Sequence, residues 1–416
     1  MLRHVAAAAF VAFAAYTARD LGYLHEAPRP SGSCRLLPGS DAFRSSEDAQ
    51  EWSGGTVLVT AGDLRHVFHH GVENAAPGAL YTADLAANEP AARALPLVGC
   101  PPGLRFQPHG LYIRRPYIYA VSHAGGAAGS RVEVFEEETE DDRLTGARWV
   151  RSVSHPLLKP NGFPNDVVAV APGEIYVTRW LARPLPIGGI ANPSPWERVE
   201  AKFLFIANVL RLPITRIIRC VFDLEGGPAD CKVVGGRHAK ANGIAAFDGD
   251  VFVVDSLSFS ITRYARTNDG DLVERDRIKT PHAADNLNIL EDGTIHLGTM
   301  PKLHQCVDPT RQPVVGALTV IAPANASAPV PRDVSRGVRT GDDRYVFRDA
   351  INSAGDIVNQ ISCGVLVGSC DGGVAAAAPP RRRRALLGSP WHSGALICDL
   401  ACVCFSESSC YTMSVA

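Results

Sequence analysis

Short runs in which apolar and polar residues alternate, or in which a few apolar residues stand together, recur along most of the chain. They fall at 56–60, 79–84, 117–122, 131–135, 174–178, 250–255, 260–265, 294–298, 316–321, 344–347, 356–360 and 364–368. Alternation marks a strand with one covered face, and a short apolar run marks a strand covered on both. Gly, Pro, Asn and Asp bound the runs. Asp248-Gly249, Asp269-Gly270, Asp292-Gly293 and Asp371-Gly372 suit two-residue hairpin turns. Strand pairs repeated so regularly predict a series of antiparallel sheets. A closed propeller is the natural arrangement at this length, since it leaves only short, protected sheet edges. The predicted fold class is all-β, with a few accessory helices.

Three stretches break the pattern. Residues 196–222 carry helical spacing, with Phe203, Leu204, Ile206, Ala207 and Leu210 on one side. Two readings are open: a helix that caps the β body with its apolar side on the core, which is favoured, or one that lies on a membrane or lipid particle. Residues 375–384, an alanine-proline run closed by four arginines, read as a solvated insertion between strands. Residues 401–416 have no periodicity and read as a flexible, cysteine-containing extension.

At the N-terminus, Arg3 and His4 precede an apolar stretch that Arg19 and Asp20 end. This is the pattern of a secretory signal, so residues 1–24 are expected to be a signal peptide or an uncleaved anchor. The expected location is the secretory pathway, outside the cell or on a membrane. Eleven cysteines without zinc-ribbon spacing then read as disulfide candidates, and the odd count leaves at least one over. Asn325-Ala326-Ser327 is a glycosylation sequon in a stretch rich in Pro and Ala. The net charge of −2 lacks the basic excess of a nucleic-acid-binding domain, and a hydrophobic fraction of 46% is too high for a disordered acidic chain.

Oxygen-bearing side chains stand just ahead of several strands. Ser46-Glu47-Asp48 precedes the run at 56–60, Asn165-Asp166 runs into Val167–Val170, Asn242-Gly243 precedes Phe247, and Asp285-Asn286 precedes Ile289. In a propeller the innermost strands start near the central channel, where such groups would converge. A hard cation such as Ca²⁺ takes about 6–8 oxygen ligands and suits mixed Asn, Asp and Glu sets, whereas Zn²⁺ favours His and Cys. Taken singly, each Asn is more often a turn former.

Phe106-Gln107-Pro108-His109-Gly110-Leu111, Asn165-Asp166-Val167-Val168-Ala169-Val170, Ala241-Asn242-Gly243-Ile244 and Asp285-Asn286 occur in that order. Val121-Ser122-His123 and Arg131-Val132-Glu133-Val134-Phe135 lie between them. Together they resemble the paraoxonase/arylesterase family of six-bladed β-propeller hydrolases over residues 34–400. The resemblance implies two Ca²⁺ ions in a central tunnel. It implies a catalytic ion held by Glu47, Asn165, Asn242, Asp285 and Asn286. It implies a structural ion held by Asp48, Asp166 and the backbone carbonyl of Leu111. His109 would be the general base, His123 its partner, and Cys34 would pair with Cys398. The implied substrates are lactones and aryl esters, with organophosphate triesters as a side activity.

The sequence also departs from the family. Arg179-Trp180-Leu181 stands where the family generally has an Asn-Asp-His run, so a carboxylate that would support the histidine pair is missing at Trp180. Thr299 replaces a cysteine sometimes found near the third metal motif. A non-catalytic, membrane-associated chaperone or assembly factor of paraoxonase type is the alternative. A single-metal lactonase of the gluconolactonase type is a third reading, disfavoured by the paired Glu47-Asp48 and Asn165-Asp166 motifs.

Overall fold

The computed structural model describes residues 33–124, 129–159, 164–182, 195–307, 314–323, 345–353, 361, 363–367, 383–389, 395–406 and 409–413. The expected signal at 1–24, Phe163, Asn325, the run at 356–360 and most of the 375–384 insertion lie outside them.

The chain begins with β1 (Ser33–Leu36), which is set aside for the last blade. Blade 1 follows as β2 (Ala49–Ser53), β3 (Thr56–Ala61), β4 (Ala79–Asp84) and β5 (Ala92–Ala94). Blade 2 is β7 (Pro108–Arg114), β8 (Tyr117–His123), β9 (Ser130–Glu140) and β10 (Arg143–Val153), with β6 (Leu97–Val98) added in parallel at its edge. Blade 3 is β11 (Pro164–Ala171), β12 (Glu174–Arg179), β13 (Thr215–Asp223) and β14 (Gly226–His238). Blade 4 is β15 (Ala241–Phe247), β16 (Asp250–Asp255), β17 (Ser260–Arg266) and β18 (Leu272–Lys279). Blade 5 is β19 (Ala283–Ile289), β20 (Ile295–Met300), β21 (Gly316–Pro323) and β22 (Tyr345–Ser353). Blade 6 is β23 (Cys363–Val367), β24 (Arg383–Gly388) and β25 (Leu396–Ser406), completed by β1 from the other end of the chain. The protein is a six-bladed β-propeller.

The first strand of each blade contacts the first strand of the next, and β23 returns to β2, so these six strands close a ring around a central shaft. One apolar cluster fills each of the six seams between blades. Each sheet is therefore covered on both faces, which is why many of its strands read as short apolar runs. The hairpin between β15 and β16 turns on Asp248 and Gly249, both at positive φ (49° and 79°), as a type I′ turn requires.

Ring closure is covalent as well as hydrogen-bonded. Cys34 of β1 lies directly opposite Cys398 of β25, and the two form a disulfide with an S–S distance of 2.04 Å. The bond spans 364 residues, worth about 6 kcal/mol on the chain-entropy account. A second disulfide, Cys220–Cys231, ties β13 to β14. Among the described residues Cys100 and Cys363 are free thiols.

Two short helices rise from loops that follow second strands: α1 (Leu64–His70) after β3 and α2 (Pro195–Val209) after β12. Helix α2 corrects the expectation for 196–222 in extent and in facing. It ends at Val209 because Arg211 adopts a left-handed conformation (φ 54°) and the Leu212 N–H donates to the Ala207 carbonyl at 2.8 Å. Pro213 then forbids further helix, and the β-branched residues beyond it form β13. The apolar stripe does not cap the core. Trp196, Val199, Phe203, Ile206 and Leu210 are exposed, and among the helix side chains that are described only the small Ala207 is buried. Among the described residues, no helix is long and apolar enough to cross a membrane. At the C-terminus the chain beyond Leu400 continues β25 and returns as β26 (Ser409–Met413), a hairpin where a flexible extension was expected.

Candidate functional site

Five of the six inner strands carry, at their start, the residues expected to form a site. In four of them the ladder skips at those positions: between Pro108 and Leu111, Pro164 and Val167, Ala241 and Ile244, and Ala284 and Leu287. His109-Gly110, Asn165-Asp166, Asn242-Gly243 and Asp285-Asn286 thus occupy β-bulges, which release side chains from strand alternation and re-aim them. Glu47-Asp48 ends the loop that enters β2. All of these side chains are buried.

The bulges lock to one another across blades. The Asp48 carboxylate accepts the N–H of Leu111 at 2.8 Å, and Asp166 accepts that of Ile244 at 2.8 Å. A Cβ on Gly110 would stand 2.4 Å from Asp166 Cα, and one on Gly243 would stand 2.7 Å from Asn286 Cα, so both glycines are required by close approach. Asn286 Nδ2 closes the circuit by donating to the Glu47 carbonyl at 3.0 Å. Asn242 Nδ2 donates to Asp285 Oδ1 at 2.5 Å and to Ser256 Oγ at 3.1 Å. Leu111, expected to offer its carbonyl, meets Asp48 through its N–H.

The acceptor side of this cluster is unsatisfied. The Oδ1 atoms of Asn165, Asn242 and Asn286 are buried and accept no hydrogen bond. Burial pushes Asp48 up to about 8 against the pull of the Leu111 and Ala49 N–H groups, and Glu47 and Asp285 add to the rise. Asp166 is raised well above the ordinary range by burial and then by Asp48. Crowded buried carboxylates beside unpartnered amide oxygens form a pocket of negative potential that calls for a cation.

His109 Nδ1 and His123 Nε2 lie 2.8 Å apart, and His123 Nδ1 lies 2.8 Å from Ser130 Oγ. His109 Nε2 stands 3.3 Å from Glu47 Oε1. Burial lowers His109 to about 3, and burial together with His109 lowers His123 well below the ordinary range, so the pair is neutral. Two tautomer sets fit these contacts: Nδ1–H on both rings, with His109 donating to His123 and His123 to Ser130, or Nε2–H on both rings, with Ser130 donating to His123, His123 to His109 and His109 to Glu47. In the first set His109 Nε2 is a lone pair beside Glu47, and in the second it donates to the Glu47 carboxylate. Ser130 lies directly across the ladder from His123.

The Arylesterase family matches residues 30–181. Serum paraoxonase/lactonase 3 of Homo sapiens is 26% identical over 267 residues, which covers 62% of this chain and 66% of that protein. The chain is similar to the paraoxonase/arylesterase family. Serum paraoxonase/lactonase 3 of Mus musculus is 28% identical, covering 62% of this chain and 66% of that protein. Serum paraoxonase/arylesterase 2 of Homo sapiens is 25% identical, covering 64% and 69%. The chain thus matches slightly less than two thirds of the length of the first two relatives. The non-catalytic alternative finds no support in these names.

Within the family frame, the Ca²⁺ fit can be tested on this chain's own atoms. The donor set is mixed carboxylate and amide oxygen with no cysteine, as a hard cation prefers. The three unpartnered Oδ1 atoms point the same way. No group of three or more His, Cys, Asp or Glu side chains suited to holding a metal occurs among the described residues. Asparagine supplies three of the five oxygen-bearing residues at the three bulges without histidine. The residues fit the ion.

Three residues of the site were not singled out from the sequence. Ser130, which opens β9, and Ser256, which follows the end of β16, gave no signal, because a lone serine at a strand end is unremarkable. Lys240, two residues before Asn242, holds its ammonium 4.6 Å from the centroid of the Trp180 indole. That indole in turn meets His109 edge to face, with centroids 6.2 Å apart. A separate cavity of about 160 Å³, lined by Phe247, Phe252, Ile289, Ile295 and Tyr345 among others, contains none of the expected site residues.

Proposed function

We propose that the chain is a Ca²⁺-dependent hydrolase of lactones and aryl esters, with organophosphate triesters as a side activity. The observation that carries this reading is the set of unpartnered, buried amide oxygens beside a neutral histidine pair. Glu47, Asn165, Asn242, Asp285 and Asn286 would hold a catalytic ion. Asp48, Asp166 and the Leu111 carbonyl would hold a structural one. When bound, Ca²⁺ supplies Lewis acidity toward a carbonyl or phosphoryl oxygen.

The chain's own residues supply the rest. His109 Nε2 takes a proton from the attacking water as general base. With Nδ1–H on both rings, His109 leans on His123 and His123 on Ser130, and His109 Nε2 is then the atom that accepts the proton. Trp180 walls one side of His109 and limits water there. A panel of lactones and aryl esters, assayed with Ca²⁺ and with a strong chelator, tests the proposal. Chelation is expected to abolish turnover. Hydrolysis that survives full chelation would overturn the metal role.

The two disulfides suit an oxidising compartment, in keeping with a signal over 1–24, glycosylation at Asn325 and passage through the secretory pathway. The exposed stripe of α2 suits a lipid surface, since Trp196, Phe203, Ile206 and Leu210 would lose contact with water there. Phe203→Glu with Ile206→Glu should cut co-sedimentation with phosphatidylcholine vesicles by several-fold. Equal sedimentation of variant and parent would rule out α2 as the contact.

A further inference from the structure

A hydroxyl side chain stands at or just beside the end of the second strand in five blades: Thr60, Ser122, Thr178, Ser256 and Thr299. Three of them grip the backbone where the first strand begins. Thr60 Oγ1 accepts the Asp48 N–H at 3.0 Å, Ser122 Oγ that of Gln107 at 3.1 Å, and Thr178 Oγ1 that of Asp166 at 3.1 Å. Thr299 turns to the next strand and donates to the Ala317 carbonyl at 3.2 Å. Of the five, only Ser256 takes a side-chain amide, its Oγ accepting from Asn242 Nδ2 at 3.1 Å. The Ser256 N–H donates to the Lys240 carbonyl at 3.0 Å, which fixes the residue beside the start of β15. Ser256 and Asn242 are both buried.

We infer that Ser256 is a positioning residue that holds the Asn242 amide with its oxygen presented to the ion, and so sets the affinity for Ca²⁺. This rests on the hydrolase reading above, in which Asn242 is a ligand. A terminal amide turns between two orientations of similar shape, one presenting oxygen and the other N–H. Here both Nδ2 protons are used, one by Ser256 Oγ and one by Asp285 Oδ1, and the Asn242 Oδ1 is left without a partner. The two holders are not equal. Asp285 is itself among the expected ligands, so a bound cation competes with the amide for its oxygens. Ser256 lies outside that set, and its grip persists when the ion arrives. Without it the amide is free to turn an N–H on the cation, where like partial charges repel. Groups that orient metal ligands in this way are typically worth about 10–100-fold in affinity.

Calorimetric titration of the full chain with CaCl₂, after bound ions have been stripped by chelator, tests this without turnover. Asn242→Ala identifies the binding event that the amide serves. Ser256→Ala should raise the dissociation constant of that event about tenfold. Ser256→Thr, which keeps the acceptor, should bind as the wild type does. A merely structural hydroxyl would lower the urea midpoint in chelator and leave the affinity of the folded chain for Ca²⁺ unchanged, and that result would overturn the inference. So would a Ser256→Thr variant that binds as weakly as Ser256→Ala, since the loss would then come from packing and not from the acceptor. A wild type that takes up no Ca²⁺ would overturn the inference together with the metal role. If Ca²⁺ binds and Ser256→Ala weakens it while the wild type hydrolyses no lactone or aryl ester, the hydrolase reading fails and the positioning role stands.

Discussion

His109 and His238 are both buried, both meet a second ring and both face a carboxylate. His109 Nδ1 contacts His123 at 2.8 Å and its Nε2 lies 3.3 Å from Glu47. His238 Nε2 contacts the Tyr264 hydroxyl at 2.9 Å and its Nδ1 lies 3.5 Å from Asp255. The difference lies in the acceptors around them. In the seam between blades 3 and 4, Asp255 Oδ2 accepts the Ala239 N–H, and Oδ1 accepts those of Lys240 and Ser258. In the shaft, three asparagine oxygens accept nothing and Asp48 is driven up to about 8 by burial. A satisfied polar cluster holds blades together. An unsatisfied one of similar composition stores a cost that only a ligand can relieve.

That contrast is broken or sharpened most strongly by exchanging the two histidines. His109→Gln should lower kcat about 10²–10⁴-fold, the usual worth of a general base, with Ca²⁺ binding retained. His238→Gln should leave turnover per folded molecule within a few-fold of the parent and lower the thermal midpoint instead. Equal losses of turnover in the two variants would mean that the seam is part of the catalytic machinery and that the distinction is false.

A smaller effect separates the clusters by what stabilises them. Ca²⁺ binds only the folded shaft on this reading, so at about 1,000 times its dissociation constant it should add about 4 kcal/mol to unfolding. The increment should vanish in Asn165→Ala with Asn242→Ala and persist in His238→Gln. Denaturation midpoints measured with Ca²⁺ and with chelator decide this. A midpoint indifferent to Ca²⁺ would show that the unpartnered oxygens are satisfied some other way.

Much of this was legible in the residues. The blades were, because runs such as 79–84 and 250–255 have strand periodicity and hairpin dipeptides mark their ends. The gathering of Glu47, Asp48 and the Asn and Asp residues was, because such residues recur just ahead of strands, whereas His109 was singled out only by the resemblance of its motif. The bulges were not, since a skipped ladder position is a relation between two strands and leaves no mark in either. The facing of α2 was not, because periodicity shows that a helix has an apolar stripe but not which side meets the core. Cys220–Cys231 was not, because the two lie six and four residues from Gly226-Gly227 and come opposite each other only through a register shift between Val221 and Asp223. Lys240 and Trp180 could not be joined, since sixty residues and a blade boundary separate them in the chain about one seam.

The smallest effect is the most specific to the satisfied cluster, and it is a dependence on pH. Burial alone would raise Asp255, but the His238 contact and the N–H groups of Ala239 and Lys240 outweigh it and bring the carboxyl down to about 2. An unfolded aspartate titrates near 3.9, so the folded state holds its charge more tightly. The resulting stabilisation, about 2 kcal/mol, is fully present above the unfolded value and is lost as pH falls through the folded one. Asp255→Asn should therefore cost stability by an amount that is constant between about pH 5 and 7 and shrinks between about pH 4 and 2. Urea denaturation of parent and variant at pH 7, 5 and 3, all in chelator so that the shaft contributes equally, reads this difference. A gap that stays the same down to the lowest pH at which both remain folded would show that Asp255 is not held by charge. The seam would then owe its order to packing alone, and hydrogen-bond satisfaction would no longer tell a structural histidine from one that waits for a ligand.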